Sequence, residues 1–276
     1  MAKTTYGLTE RKIAKRIDEG RGNGSGSDYK PWLYVNDVPS SGRSHRMYSR
    51  LTGRIHHFLS DLEFYTFLLL ENDPTVNDVR EQFPLNREDT VSIALENGIR
   101  HPSYQGVNQV MSSDFMVDSV DKEKPKYVIQ AKYVTDLLDA RVVEKLEIEY
   151  LYWKQKSIPW YIITERQIDD NLKSNAEWLL EFNDHDCLLD EEDMKVHIMA
   201  IRNFFRKVPE LKVQNACMQF DHVYGLEPGE SLRTLRLYCS GRKVTFNILK
   251  NFNILKVKDF SFDGLEGEFR NENIAG

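Results

Sequence analysis

The chain has 276 residues, of which 41% are hydrophobic, 29% charged and 11% aromatic, and it carries a net charge of -6. That size and balance fit one or two domains, each with a core of its own. They exclude a mainly disordered chain, a collagen-like repeat and a disulfide-rich mini-protein.

Residues 7–19 (GLTERKIAKRIDE) read as a short amphipathic helix, with Thr9 as its cap and Ile13 and Ile17 four apart on one face. GRGNGSGSDY from Gly20 reads as a flexible loop; it lacks the GK[ST] ending and the preceding apolar strand of a phosphate-binding loop. PWLYV at 31–35 suits a short strand or an extended arm. A strong helix starts at Ser60-Asp61, where Ser60 caps and Glu63 stands three residues on, the spacing of a capping box. Its body LEFYTFLLLE is largely apolar and so mostly buried, and Pro74 ends it. VNDVREQFPL from Val76 reads as a strand leading to a turn at Pro84, followed by residues 85–105, which are irregular or contain a short helix near Ile93.

QVMSSDFMVDSV at 109–120 has strand character around Asp114, and the polar turn DKEKPK leads to a second strand, YVIQAKYV, at 127–134. A long amphipathic helix follows from about Asp136 to Lys156, with Leu138, Val142, Leu146 and Trp153 near its apolar side. PWYIIT at 159–164 is a short apolar strand, and its place after a helix predicts parallel pairing. Beyond Ile168 the pattern turns helical: 171–182, 191–207, 213–224 and 231–239, then two strands at 243–249 and 255–262. This divides the chain into domains at 1–168 and 169–276, the second a small helical unit of winged-helix type.

No run approaches the roughly 18 apolar residues of a bilayer span. The N-terminus has no apolar segment of secretory type. Cys187, Cys217 and Cys239 are widely spaced without a CxxC pair, which suits reduced thiols in a cytoplasmic protein and no structural zinc site.

Charge is uneven. Residues 1–60 hold 11 Lys+Arg against 5 Asp+Glu, while 61–168 are net -7 and 169–276 net -5. No acid lies between Asp37 and Asp61, a stretch carrying Arg43, Arg46, Arg50 and Arg54 among Ser, Gly and His. Arginine forks with small hydroxyl residues suit phosphate oxygens, so these four are candidate DNA contacts; a solvated basic loop is the plain alternative. His56-His57 are adjacent with no third ligand nearby, which argues against a metal role.

One constellation carries chemistry. Asp114 lies on one strand; Gln130 and Lys132, two apart, share a face of the next. Phosphodiester cleavage needs a cation to offset charge on the scissile phosphate, carboxylates to hold that cation, and a group to orient water or stabilise the developing charge. Glu63, on the buried helix, is the natural second carboxylate, since a carboxylate there is costly unless paired or metal-bound. On spacing alone a solvated face explains the same residues. The element order helix, strand, hairpin, helix, strand matches the αβββαβ core of restriction-endonuclease-like, PD-(D/E)XK, folds.

The segments RGNGSGSDYKPWLYVNDVPSSGRSHR, TGRIHHFLSDLE, REQFPL, QVMSSDFMVD, IQAK and EKLEIEYLYWKQKSIPW run in order from about 20 to 160. In these the chain resembles the TnsA family, the restriction-endonuclease-like subunit of heteromeric cut-and-paste transposases. The resemblance implies a Mg²⁺-dependent endonuclease, with Mn²⁺ substituting, that cuts at the 5′ ends of the transposon while the transposase TnsB cuts the 3′ ends. It implies Glu63, Asp114 and Lys132 as catalytic positions and Glu63, Asp114 and Gln130 around the metal. Gln130 replaces the acid usual in the wider superfamily, which weakens the site by one charge. Glu149, on the following helix, is a candidate outer group; Glu81 and Asp118 read as structural. The acidic C-terminal domain suits protein contact rather than DNA, and the resemblance implies the ATPase regulator TnsC. A stand-alone restriction or repair nuclease and a non-catalytic adaptor between that ATPase and DNA are the competing readings.

Overall fold

The computed structural model describes residues 7–38, 43–180 and 191–265, in two compact units, residues 1–168 and 169–276. Cys187 and the expected end of the helix at Phe182 lie outside the described residues.

In the first unit, α1 (Glu10–Asp18) precedes a hairpin, β1 (His45–Ser49) and β2 (Arg54–Phe58), then α2 (Asp61–Glu71) and β3 (Val76–Pro84). α3 (Arg87–Glu96) and the small hairpin of β4 (Ser103–Tyr104) and β5 (Val107–Asn108) lead to β6 (Ser112–Ser119) and β7 (Lys126–Ala131). α4 (Ala140–Gln155) returns the chain to β8 (Trp160–Ile163). The central sheet has the order β3-β6-β7-β8. β3 and β7 both pair antiparallel to β6, whereas β8 runs parallel to β7, as the helical crossover predicts. One face of this sheet packs on α3 and α4 through Leu85, Ile93, Met116, Val128, Ile148 and Trp153. Each such side chain contributes about 1.5–3 kcal/mol relative to staying in water. α2 is buried nearly all round, with Phe64, Phe67 and Leu68 fully enclosed, as its apolar composition predicts.

Several local expectations change. Ile13 is buried in α1 but Ile17 is exposed; the inward position belongs to Arg16, which reaches Asp37 and the Trp32 carbonyl. The glycine-rich stretch after α1 is folded onto the sheet rather than loose. Tyr29 is buried, with its hydroxyl donating to the Glu81 carbonyl, and the Gly26 N–H donates to Asp78. A Cβ on Gly22 would come within 2.2 Å of the Pro84 ring, and φ there is +84°, so only glycine fits. The 31–35 segment forms no strand; its Trp32 is buried and its N–H donates to the Gln82 carbonyl. Leu138 sits in a 3₁₀ turn ahead of α4 and is exposed, because Asp139 caps the helix after it and breaks the phase with Leu146 and Trp153.

In the second unit, α5 (Asp170–Leu180), α6 (Glu191–Phe205), α7 (Val213–Tyr224) and α8 (Glu230–Ser240) lie close to the predicted helices. The two expected strands shrink to β9 (Thr245–Phe246) and β10 (Phe260–Ser261), which pair antiparallel. Between them, side chains of Asn247, Asn251 and Asp259 accept from nearby backbone N–H groups and bend the chain into turns. The Asn175 amide, on α5, secures that stretch by donating to the Ile248 and Lys250 carbonyls. Cys217 and Cys239 are buried free thiols, pushed up by burial, Cys217 to about 12.

Candidate active site

Glu63 sits in the first turn of α2, where its own N–H donates to the Ser60 hydroxyl. Its carboxylate returns the contact, accepting from Ser60 Oγ at 3.1 Å and from the Leu59 N–H at 2.9 Å. The capping residues thus hold Glu63 in a single orientation, pointing along the start of the helix toward the sheet. Structural and chemical roles coincide in this one side chain.

Asp114 lies on β6 and is fastened by β7. Its N–H donates to Gln130 Oε1 at 2.9 Å, and its Oδ2 accepts from the Ala131 N–H at 2.8 Å. Lys132 stands one residue beyond β7, where its N–H still bonds the Ile163 carbonyl of β8. Its ammonium lies 3.4 Å from Asp114 Oδ2 and donates to the Ala131 carbonyl at 2.8 Å. Gln130 and Lys132 therefore both face Asp114, as the two-residue period predicts. The Gln130 side-chain oxygen, expected at the metal, is engaged with the Asp114 backbone here, which makes it a support for that strand.

Glu149, on α4, is buried among the same groups. Its Oε1 accepts from Ser113 Oγ at 2.6 Å and Trp160 Nε1 at 2.9 Å, and Trp153 Nε1 donates to Ser113 Oγ. One residue escaped the sequence reading. Gln82, on β3 and buried, donates from Nε2 to Glu63 Oε2 at 3.3 Å and to Asp114 Oδ1 at 3.4 Å. Its φ is +48°, unusual for a residue with a Cβ. No sequence signal marks that backbone; the strand around it shows no clean alternation.

Burial, and then the charge of Asp114, pushes the Glu63 carboxyl well above the usual carboxylate range. Burial raises Glu149 to about 7, against the pull of its Ser113 and Trp160 donors. Burial alone would lower Lys132, but facing Asp114, Glu63 and Glu149 it is held above the ordinary lysine value. The cluster is thus short of positive charge: three carboxyl groups converge on one ammonium.

A cleft of about 710 Å³ opens over Glu63, Gln130, Lys132 and Glu149, with Arg43, Asp61 and Lys145 also in its wall. Among the described residues, no three His, Cys, Asp or Glu side chains gather into a cage for a metal. Two converging carboxylates at the side of an open cleft fit instead a hard cation that keeps several waters, as Mg²⁺ does. The donor set, all oxygen and in charge deficit, fits that ion.

The basic segment is a hairpin rather than a loop, and it divides the four arginines. Arg43, Arg46 and Arg50 are exposed, and Arg43 pairs with Asp61 at the cleft. Arg54 does not belong with them: it is buried, forked onto Glu81 at 2.8 and 2.5 Å, and also bonded to the Gly26 and Val79 carbonyls. His56 is fully buried 2.8 Å from the same carboxylate, and Ile55 between them points outward. Burial raises Glu81, but His56 and Arg54 outweigh it and hold it at about 2. The buried charge of Glu81 turns the hairpin over, drawing Arg54 and His56 inward where hydrophobic patterning would have placed Ile55.

Residues 73–165 match the family model described as TnsA-like endonuclease N terminal, and residues 167–248 match TnsA endonuclease C terminal. The chain is also similar to the transposon Tn7 transposition protein TnsA of Escherichia coli, 44% identical over 259 residues that cover 94% of each chain. With both units matched and near full-length similarity, the chain belongs to the TnsA family of transposition endonucleases.

Proposed function

We propose that the chain is the Mg²⁺-dependent endonuclease subunit of a cut-and-paste transposase. It cuts at the 5′ ends of its transposon while a TnsB-type transposase cuts the 3′ ends. The observation that carries this reading is the convergence of Glu63, Asp114 and Lys132 from three separate elements, with Glu63 and Lys132 lining one cleft and Asp114 buried against Lys132. The β3-β6-β7-β8 sheet with α2 before it and α4 in the crossover supports a restriction-endonuclease-like fold for this unit.

Glu63 and Asp114 would hold the cation, with Glu149 close behind; Mn²⁺ suits the same oxygen donors. When bound, the ion supplies positive charge to the scissile phosphate and lowers the pKa of attacking water. The residues of the chain do the remaining work. The Ala131 N–H fixes the Asp114 carboxylate, Gln130 holds the Asp114 backbone, and the capping turn fixes Glu63. Lys132 presents an ammonium beside these carboxylates, suited to stabilising charge that develops on phosphate oxygens rather than to accepting a proton. Arg43, Arg46 and Arg50 are exposed and suit contact with the DNA backbone, Arg43 from the wall of the cleft. The acidic residues 169–276, four helices and a short β-ribbon of winged-helix type, serve protein contact, with a TnsC-type ATPase as partner.

The test is strand-resolved cleavage of labelled transposon-end DNA in Mg²⁺, comparing the chain alone, the chain with its transposase, and the transposase with Asp114→Ala. The expected result is a 5′-strand cut that needs both the transposase and Asp114. A cut by the chain alone would make it an autonomous nuclease. Retained cutting by Asp114→Ala would overturn the site, and no 5′ cut with end joining still supported would leave an adaptor.

A further inference from the structure

Each oxygen of the Glu63 and Asp114 carboxylates already accepts a hydrogen bond. Glu63 Oε1 is taken by Ser60, and Oε2 by Leu59 and Gln82. Asp114 Oδ1 is taken by Gln82, and Oδ2 by Ala131 and Lys132. A cation shared by both carboxylates would sit between them, where one of these donors already lies. Ser60, Leu59 and Ala131 donate as parts of the helix cap and sheet, so they stay. Gln82 differs: among the described residues, its Nε2 is the donor that spans both carboxylates. The orientation of its amide is set by Ser112, whose hydroxyl donates to Oε1 at 3.1 Å and so turns the NH₂ group toward the acids. Two polarised N–H groups placed between two carboxylates occupy the place, and carry the sign of charge, that a shared cation would.

We propose that Gln82 is a stand-in for the cation. It holds Glu63 and Asp114 at ligating separation in the metal-free protein and is exchanged for the ion when the site loads. It is a positioning residue, acting through the two carboxylates. The register of β3 on β6, Glu81 against Phe115 and Phe83 against Ser113, puts Gln82 opposite Asp114, and its backbone there is left-handed, φ +48°. The Gln82 carbonyl is anchored by the Trp32 N–H, so exchange requires turning the side chain and not the strand. This inference rests on the proposed metal role of Glu63 and Asp114.

The experiment measures thermal unfolding of the full chain in chelator and in saturating Mg²⁺, together with calorimetric titration of Mg²⁺, for the parent, Gln82→Met and Gln82→Glu. Methionine keeps the length and removes the donor; glutamate replaces the donor with a third acceptor. Both variants should melt lower than the parent in chelator and recover most of the loss in Mg²⁺. Both should bind Mg²⁺ more tightly, by about tenfold for methionine, the worth of one charge-assisted hydrogen bond no longer competing. Equal losses in chelator and Mg²⁺ would reduce Gln82 to a structural residue and overturn the inference. Weaker Mg²⁺ binding would also overturn it, by making Gln82 a support of the loaded site. If the parent itself takes up no Mg²⁺, the metal reading falls first and this one with it; normal uptake by the parent with unchanged variants overturns the exchange alone. Glutamate keeps the size and shape of the parent side chain while removing the donor, so it keeps the test decisive should methionine misfold.

Discussion

Replacing Arg54 by methionine separates a structural arginine from a DNA-binding one. Arg54 makes two bonds to Glu81 and two to backbone carbonyls, and its side chain and that of Glu81 are 8% and 0% exposed. Removing one partner of a buried ion pair strands the other and costs about 3–5 kcal/mol. In a unit of this size each kcal/mol lowers the melting temperature by roughly 2–4 °C. Arg54→Met should therefore melt roughly 6–20 °C below the parent by calorimetry, with two orphaned carbonyls adding to the loss. The exposed control Arg46→Ala should stay within about 0.5 kcal/mol of the parent. The double variant Arg54→Met with Glu81→Gln should recover part of the stability, because the stranded charge is gone. A parent-like melting temperature for Arg54→Met, with weakened DNA binding, would refute the reasoning and return Arg54 to the DNA-contacting face.

Two further outcomes follow from the electrostatics. Glu149 has a folded-state pKa raised to about 7, so it keeps its proton after the unfolded chain has released one. Folding stability is then fully present below the ordinary carboxylate pKa and is lost as pH rises from about 5 to 7, by on the order of 3 kcal/mol for this group. Chelated protein followed by urea unfolding across that range should show the decline, and Glu149→Gln should flatten it; an unchanged slope would remove Glu149 from the buried cluster. On the hairpin, Arg43→Ala, Arg46→Ala and Arg50→Ala should each weaken binding to any DNA sequence and lower the slope of log affinity against log salt by about one. Binding titrations at several salt concentrations measure this, and a sequence-selective loss would sink the phosphate-contact reading.

Much of the site was readable in one dimension because each clue was local or periodic. Ser60 and Glu63 stand at capping-box spacing, and the helix starts there with both side chains bonded. Gln130 and Lys132 obey the strand period and meet Asp114 together. Glu149, read from the sequence only as a candidate outer group, proves buried beside Leu146 and Trp153 on α4. Spacing alone left a metal site and a solvated face open, and the family resemblance implied the first.

Gln82 and Arg54 show where that legibility ends. Whether a polar residue faces inward depends on what another part of the chain has buried opposite it. Arg54 turns in because Glu81, 27 residues away, is enclosed and must be neutralised. Gln82 spans two acids brought together by the cap of α2 and the register of β6. Charge pairing in a low-dielectric interior outweighs the hydrophobic pattern that local reading relies on. The chain order of residues accounts for the helices, the parallel crossover and the acids on offer. Long-range burial chose which polar side chains face one another, and with that it assembled the site.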